Sequence, residues 1–222
     1  MAARATAAVA LTAILALAGC RATTTSSSPD GTAHGAPAEA TTSPATTSTA
    51  GGHLEVGPGP QAHYTVQAQP AAGSCHYRYE NGQPLPDLKC TPGAISPAVT
   101  QASITTTICK TGYTATIRPS SYVTGKEKTA NAASYGYTGR MGDAEYDHQI
   151  SLELGGDPND PRNLWVEPPS PGHKAGSGPN NDKDKIENRL HTAVCAHTVT
   201  LARAQSAIAI DWTTALASLG LS

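Results

Sequence analysis

Residues 146–156 read YDHQISLELGG, and residues 161–167 read PRNLWVE. In the first stretch apolar and polar residues alternate up to a Gly pair, which predicts a half-buried strand over residues 146–154. The second stretch predicts another short strand over residues 163–166. We therefore expect two strands joined by a turn-rich segment.

A helix is predicted after these strands. Ile186, Leu190 and Val194 recur every fourth residue, which indicates a helix over residues 182–194 with one apolar face. A last helix is predicted to begin after an N-cap at Thr200. The order of elements is thus strand, strand, helix, with long loops between them.

The segment before the first strand carries weaker signals. Residues 62–95 are rich in Gly, Pro and Tyr and have a turn signal at Asn81–Gly82, which predicts loops and a short hairpin. The alternation in YTATIRP, residues 113–119, predicts a strand. Residues 120–139 favour a short helix.

The N-terminus has the features of an export signal. Arg4 precedes an apolar run over residues 8–18, which is shorter than the about 20 residues that a bilayer span needs. The run ends in LAGC, with Cys20 last, and this ending resembles the lipobox of bacterial lipoproteins. The alternative is an ordinary secretory signal with a chance cysteine. We expect residues 1–20 to be a signal peptide and Cys20 to carry lipid.

Residues 21–60 are predicted to be a disordered tether. Ala, Ser, Thr, Pro and Gly supply 32 of these 40 residues, so little surface can be buried to offset the entropy of ordering. Residues 61–222 carry 13 Lys and Arg against 14 Asp and Glu. This balance argues against a tight non-specific binder of nucleic acid, although it leaves room for a local basic patch.

Four cysteines remain after Cys20. An even number in an exported chain predicts two disulfides. Of the three connectivities that four cysteines allow, the order along the chain favours Cys75–Cys90 and Cys109–Cys195. A zinc site is the alternative, although the sequence has no CxxC pair.

The stretches YDHQISLELGG, PRNLWVEP and NNDKDKIENRLHTAVC together resemble the HNH (ββα-metal) endonuclease family. They are most similar to a group of small exported actinobacterial lipoproteins, over roughly residues 105–213. The resemblance implies an α+β fold, in which a small disulfide-bonded domain has a ββα-metal core. We expect a loop-rich extension over residues 61–104 and the HNH-like domain over residues 105–222.

The resemblance also implies a metal site for phosphodiester hydrolysis. His148 would activate water as the general base, and Asp147 and Asn181 would bind the metal. Asn163 would tie the connecting loop and orient His148, and Lys183 would contact a phosphate near the helix N-terminus. Because neighbours on a regular strand face opposite sides, the Asp-His pair serves one site only at a strand end or bulge.

Two alternatives for this site stay open. His173 follows Asn163 with nine residues between them and is the alternative third ligand, although it lies in a Gly/Pro/Ser-rich loop. Asp147 and His148 are alternatively a surface pair without a metal, and the default role of Glu187 is an ion pair with Lys183 across one helical turn.

The implied function is a membrane-anchored, extracytoplasmic, metal-dependent endonuclease. Its expected cofactor is a divalent ion, Mg²⁺ or Mn²⁺, with Zn²⁺ or Ni²⁺ as alternatives. The expected substrate is nucleic acid, with DNA favoured, the membrane is contacted only through the N-terminal lipid, and the sequence identifies no protein partner. The alternative is a non-catalytic surface lipoprotein that uses the ββα scaffold for binding or envelope structure.

Overall fold

The structure, a computed structural model, describes residues 54–221. The predicted signal peptide, Cys20 and most of the predicted tether lie outside the described residues. Within the described part, no helix combines the length and the apolar character needed to cross a membrane.

Along the described chain, four short strands are followed by two helices, two further strands and three helices. The strands are β1 (Glu55–Val56), β2 (Arg78–Glu80), β3 (Gln83–Leu85), β4 (Ala94–Ile95), β5 (Glu145–His148) and β6 (Leu164–Glu167). The helices are α1 (Tyr113–Thr116), α2 (Ser121–Ser134), α3 (Lys183–Cys195), α4 (Leu201–Ile210) and α5 (Ala215–Ser218). This mixed content is that of a small α+β domain.

The antiparallel pair of β5 and β6 forms the part of the fold that carries the predicted site. Its register is regular, from Glu145 opposite Glu167 to His148 opposite Leu164. The α2 helix packs beside β6, and the side-chain oxygen of Asn131 accepts a hydrogen bond from the backbone N–H of Val166 (2.8 Å). With α3 following, the predicted order of strand, strand and helix is confirmed.

Strand β5 is shorter than the strand that the sequence predicted. It ends at His148, whereas alternation predicted a strand up to Leu154. Residues 152–154 instead form a 3₁₀ turn, and the buried side chains of Ile150, Leu152 and Leu154 point into the core from a loop. A period of two cannot distinguish a strand from an irregular segment whose apolar residues are buried one by one.

The prediction of a strand over residues 113–119 is also wrong. Tyr113–Thr116 is a helical turn, α1, which begins after Gly112 in a left-handed conformation with φ of 83°. A strand needs a partner for its backbone groups, and no strand of residues 54–221 pairs with this segment. The helix predicted within residues 120–139 is present as α2, over Ser121–Ser134.

The helices α3 and α4 pack their apolar faces into the main core. Leu190 and Val194 of α3 are fully buried, as their spacing predicted. Thr200 caps α4, since its side chain accepts a hydrogen bond from the backbone N–H of Arg203 (3.4 Å). Both tryptophans, Trp165 and Trp212, are core residues.

Both predicted disulfides are present. Cys75 is bonded to Cys90, and Cys109 is bonded to Cys195 across 86 residues of sequence. The predicted hairpin joins β2 and β3 through Asn81 and Gly82, whose positive φ values of 52° and 79° suit a tight two-residue turn.

The first described residues are held to the domain as a strap, Leu54 to Gly59. Strand β1 pairs in parallel with β4, and the next N–H, that of Gly57, donates to the carbonyl of Ile95 (2.9 Å). The N–H of Gly59 donates to the carboxylate of Asp157 (2.6 Å). The strap therefore lies against the loop that connects β5 to β6.

Candidate functional site

A buried lysine lies at the centre of the predicted site. Lys183, at the start of α3, has a fully buried side chain whose ammonium donates to Oδ2 of Asp147 (2.6 Å) and to the carbonyl of His148 (2.7 Å). It also contacts the carboxylate of Glu187, one turn further along α3. The prediction that Lys183 contacts phosphate is therefore wrong, because no solvent-borne group reaches its ammonium. The i, i+4 pairing of Lys183 with Glu187 is confirmed.

The charged groups of this cluster shift one another's pKa values. Burial alone would raise the pKa of Asp147, but the ammonium of Lys183 and the other neighbouring polar groups together hold that pKa below its usual value. Burial alone would lower the pKa of Lys183, but the carboxylates of Asp147 and Glu187 raise it. At neutral pH the structure therefore holds Asp147 as a carboxylate beside a fully charged lysine.

A second carboxyl group, that of Glu167, lies in the same cluster without a donor. Glu167 is 1% exposed, and no hydrogen-bond donor among residues 54–221 reaches either of its carboxyl oxygens. Burial raises its pKa well above the usual value, and the charge of Asp147 raises it further. At neutral pH Glu167 is therefore uncharged, and Asp147 is the ionised carboxylate of the pair.

His148 ends β5 as a buried, neutral imidazole. Its Nε2 lies 3.2 Å from the carbonyl oxygen of Pro158, so this nitrogen carries the proton and donates it. Burial lowers the pKa of His148 to about 4, and the charge of Arg118 contributes in the same direction. The Nδ1 atom has no hydrogen-bond partner among the described residues and is the nitrogen free to accept a proton.

Asn163 closes the loop between β5 and β6. Its side-chain oxygen accepts from the N–H groups of Ile150 (3.0 Å) and Ala94 (3.3 Å), and its Nδ2 donates to the carbonyls of Ile150 and Asp157, both at 3.0 Å. These bonds occupy the whole amide. Asn163 thus ties the loop, as predicted, and acts on His148 only through that loop.

Asn181 joins the start of α3 to β5 instead of meeting Asp147 directly. Its Nδ2 donates to the carboxylate of Glu145 (2.8 Å), and its Oδ1 accepts from the backbone N–H of Asp184 (3.3 Å). Burial raises the pKa of Glu145 to about 7, and the charge of Asp147 adds to this. Sequence reasoning missed Glu145, although it stands two residues before Asp147 and so on the same strand face.

His173, the alternative third ligand, belongs to a different cluster. Its Nε2 lies 3.5 Å from Oδ1 of Asp143, in a loop that Asp143 also holds through the N–H groups of Gly176 (3.0 and 2.8 Å) and Gly178 (3.2 Å). No hydrogen bond or ion pair among residues 54–221 links His173 to Asp147 or His148. Its position is explained by the loop that Asp143 holds together.

An open cleft of about 230 Å³ lies next to the buried cluster. It is lined by Arg118, Glu153, Asp184 and Glu187, among others. Arg118 is exposed, and its guanidinium makes no ion pair within residues 54–221. Nothing in the sequence spacing connects residue 118 with the start of α3, so only the fold shows that Arg118 and Glu187 line the same cleft.

One further group in the structure has metal-ligand chemistry. Cys109, His191 and Cys195 bring their sulfur and nitrogen atoms within 4.8 Å of one another. The two sulfurs are joined in a disulfide, so in this state they offer no thiolate to a metal ion.

Comparisons with known proteins give no family. The chain matches no protein-family model, no curated protein and no solved structure. The chemistry of the protein is therefore inferred from the geometry of its own residues.

Proposed function

We propose that the protein is a metal-dependent phosphodiester hydrolase that acts on nucleic acid, DNA foremost, outside the cell membrane. The observation that carries the proposal is a neutral, buried His148 beside an ionised Asp147, next to a cleft that combines carboxylates with the unpaired guanidinium of Arg118. The lipobox-like ending at Cys20 supports a lipid anchor, and two disulfides suit an oxidising compartment.

His148 is proposed as the general base. A base must be unprotonated before the reaction, and burial keeps this imidazole neutral at physiological pH. The bond from Nε2 to Pro158 fixes the ring and leaves Nδ1 to take a proton from water. The low pKa makes His148 a weak base, so a nearby cation that acidifies water would complement it.

The carboxylates around the cleft fit a hard divalent cation. Glu187 and Asp184 line the cleft, Asp147 shares the ammonium of Lys183 with Glu187, and all three side chains offer oxygen atoms as ligands. Mg²⁺ is commonly held by one or two carboxylates and several waters, so we propose Asp147 and Glu187 as its protein ligands, with Asn181 as an indirect support through Glu145. The cation would stabilise charge on the phosphorus and the leaving oxygen.

Lys183 is proposed as a positioning residue, and Arg118 as the phosphate contact. Lys183 holds Asp147 ionised and fixed. The guanidinium of Arg118 lies at the cleft and has the fork of donors that pairs with phosphate oxygens. The cationic contact that the sequence assigned to Lys183 is thereby moved to Arg118.

Plasmid nicking tests the proposal. The full chain with Cys20→Ser, purified in its oxidised form, is incubated with supercoiled plasmid and Mg²⁺ or Mn²⁺, with and without EDTA. We expect nicking that requires metal and that falls by about 10²–10⁴-fold in His148→Ala, since that is the usual contribution of a general base. His173→Ala is the matched control and should nick at the wild-type rate.

The outcomes separate the alternatives. Loss of nicking in His173→Ala would restore His173 as the third ligand. Equal nicking by wild type and His148→Ala would show contamination. A folded wild type that nicks nothing with any metal would favour a non-catalytic surface lipoprotein, a function with which the charge-matched Lys183 cluster is also compatible.

A further inference from the structure

One row of side chains along α3 connects the buried cluster with a disulfide. Lys183, Glu187, His191 and Cys195 follow one another at intervals of four, so they lie on one side of the helix. The first two belong to the candidate site. The last two lie at the other end, where Cys195 is bonded to Cys109.

The imidazole of His191 lies against this disulfide. Its Nε2 is 3.3 Å from Sγ of Cys195 and 3.0 Å from the carbonyl oxygen of Ile108. Its Nδ1 lies 3.9 Å from a carboxylate oxygen of Glu153. All three ligand-type residues are partly exposed, and a cleft of about 170 Å³ lined by Cys109, Glu153 and His191 opens onto them.

We propose that reduction of the Cys109–Cys195 disulfide opens a binding site for a thiophilic divalent ion such as Zn²⁺. The two thiolates and Nε2 of His191 would be its protein ligands, with water in the fourth position. This site does not depend on the proposed nuclease function, since neither Asp147 nor His148 takes part in it.

The reduction balances with a dithiol as the reductant. The S–S bond breaks, each cysteine sulfur gains one electron and one proton, and the dithiol is oxidised to its own disulfide. Binding of Zn²⁺ then replaces both thiol protons, which leave to solvent. In a tetrahedral site with Zn–S bonds of about 2.3 Å, the sulfurs are about 3.8 Å apart. The Cα separation of 5.7 Å lets small side-chain rotations reach that spacing.

Glu153 provides the support that a ligating histidine usually has. A metal-bound imidazole commonly donates its other N–H to a carboxylate, which fixes its tautomer and orientation. Here Nδ1 faces Glu153 and Nε2 faces the sulfurs. Metal binding requires Nε2 to give up its contact with the carbonyl oxygen of Ile108. The ring proton then lies on Nδ1, which donates a hydrogen bond to the carboxylate of Glu153.

The second disulfide is a built-in control. Cys75 and Cys90 are also bonded, but no histidine or carboxylate completes a three-ligand group with them in the described residues. Reduction of that disulfide alone should create no comparable site.

Cobalt binding tests the proposal. The full chain with Cys20→Ser, which leaves four cysteines, is reduced with a phosphine, freed of reductant without oxygen and titrated with Co²⁺. We expect one equivalent to bind, with a sulfur-to-cobalt charge-transfer band and the visible bands of tetrahedral Co²⁺, and Zn²⁺ to displace it. The added substitutions Cys75→Ser and Cys90→Ser should leave the spectrum unchanged. His191→Ala should weaken binding at least about tenfold, and Glu153→Gln about tenfold.

Other results would overturn the proposal. These are a cobalt affinity that His191→Ala leaves unchanged, a sulfur-to-cobalt band that is lost with Cys75→Ser and Cys90→Ser, or no cobalt binding by a reduced chain that stays folded by circular dichroism. If reduction unfolds the chain, Zn²⁺ should restore the native circular dichroism spectrum in the Cys75→Ser/Cys90→Ser background, and failure to restore it also counts against the site.

Discussion

Among single residues, Lys183 joins β5 to α3 at the candidate site. Its ammonium is removed from water and surrounded by two carboxylates and a carbonyl oxygen. Each buried ion loses several kcal/mol of hydration, so such a cluster adds little net stability but tolerates the loss of no member. The cluster therefore specifies where Asp147 and Glu187 lie.

Removal of this charge should destabilise the fold strongly. Lys183→Met is expected to lower the free energy of unfolding by about 3–5 kcal/mol, because it leaves buried carboxylates without a partner. Lys185→Met, on the same helix with a side chain that is 74% exposed, is the matched control and should change it by less than about 0.5 kcal/mol. Urea denaturation checks both variants. Equal effects would show that Lys183 is not the charge that balances the cluster.

Glu145 should make stability depend on pH. Its pKa is about 7 in the folded protein against 4.5 for an ordinary Glu. The contribution of this group to the free energy of unfolding is therefore full below pH 4.5 and is lost as pH rises through 7. Glu145→Gln keeps the neutral form. The stability that the wild type loses between pH 5 and pH 8 should be smaller in this variant by about 1–2 kcal/mol, allowing for partial exposure.

His148 affects the pH dependence of stability in the opposite direction. Because its pKa is lowered, its contribution to stability is full above pH 6.5 and is lost as pH falls through 4. Both proteins in this comparison contain His148, so its contribution cancels. Glu80→Gln, on the exposed strand β2, controls for the loss of one carboxylate. Identical pH profiles for Glu145→Gln and wild type would contradict the raised pKa.

At the level of single residues, sequence patterns revealed part of the candidate site. The spacing of Lys183 and Glu187 by four indicated their ion pair, and the Asp147-His148 and Asn163 motifs marked the residues around it. Burial was not visible, so Lys183 was expected at the surface. Arg118 and Glu145 approach the site only through the folding of distant segments, which no local period records.

Among the elements, the loop from Gln149 to Asn163 decides how the hairpin is closed. The carbonyl of Asn163 accepts from the N–H of Gln149 (2.8 Å), and Gly156 passes close to the backbone of Ile150. A Cβ atom at Gly156 would lie 1.7 Å from the carbonyl oxygen of Ile150. Only glycine permits this approach of two backbone segments.

Two glycine substitutions should therefore have opposite effects. Gly156→Ala is expected to lower the free energy of unfolding by at least about 2 kcal/mol, because the backbone of the loop must move. Gly125→Ala, inside α2 with no atom within 4 Å of the new Cβ, should raise it by about 0.5–1 kcal/mol. Thermal and urea unfolding measure both. A neutral Gly156→Ala would show that the loop is not tightly closed.

Helices were easier to predict from the sequence than strands. The faces of α3 and α4 follow from apolar residues that repeat every three to four positions, and Thr200 marked the start of α4. The two alternating segments behaved differently, since one ended early at His148 and the other became α1. Alternation alone does not supply the partner strand that a strand requires.

For the whole molecule, the two disulfides should contribute unequally. They close loops of 86 and 15 residues, and a longer loop loses more entropy in the unfolded chain when it is cross-linked. Replacement of Cys109 and Cys195 by Ser should cost about 4 kcal/mol, and replacement of Cys75 and Cys90 about 3 kcal/mol. Guanidinium titrations of the oxidised variants measure the difference, and the reverse order would contradict the entropic account.

The strap from Leu54 to Gly59 determines where tension enters the domain. Its backbone bonds to β4 lie across the strand, and the carboxylate of Asp157 holds its end. A pull along the chain ahead of Leu54 is thus shared among several transverse bonds instead of opening them one after another. The load passes into β4 and into the loop that contains Asp157, so a domain held at this end would bear traction on the side where its hairpin is closed.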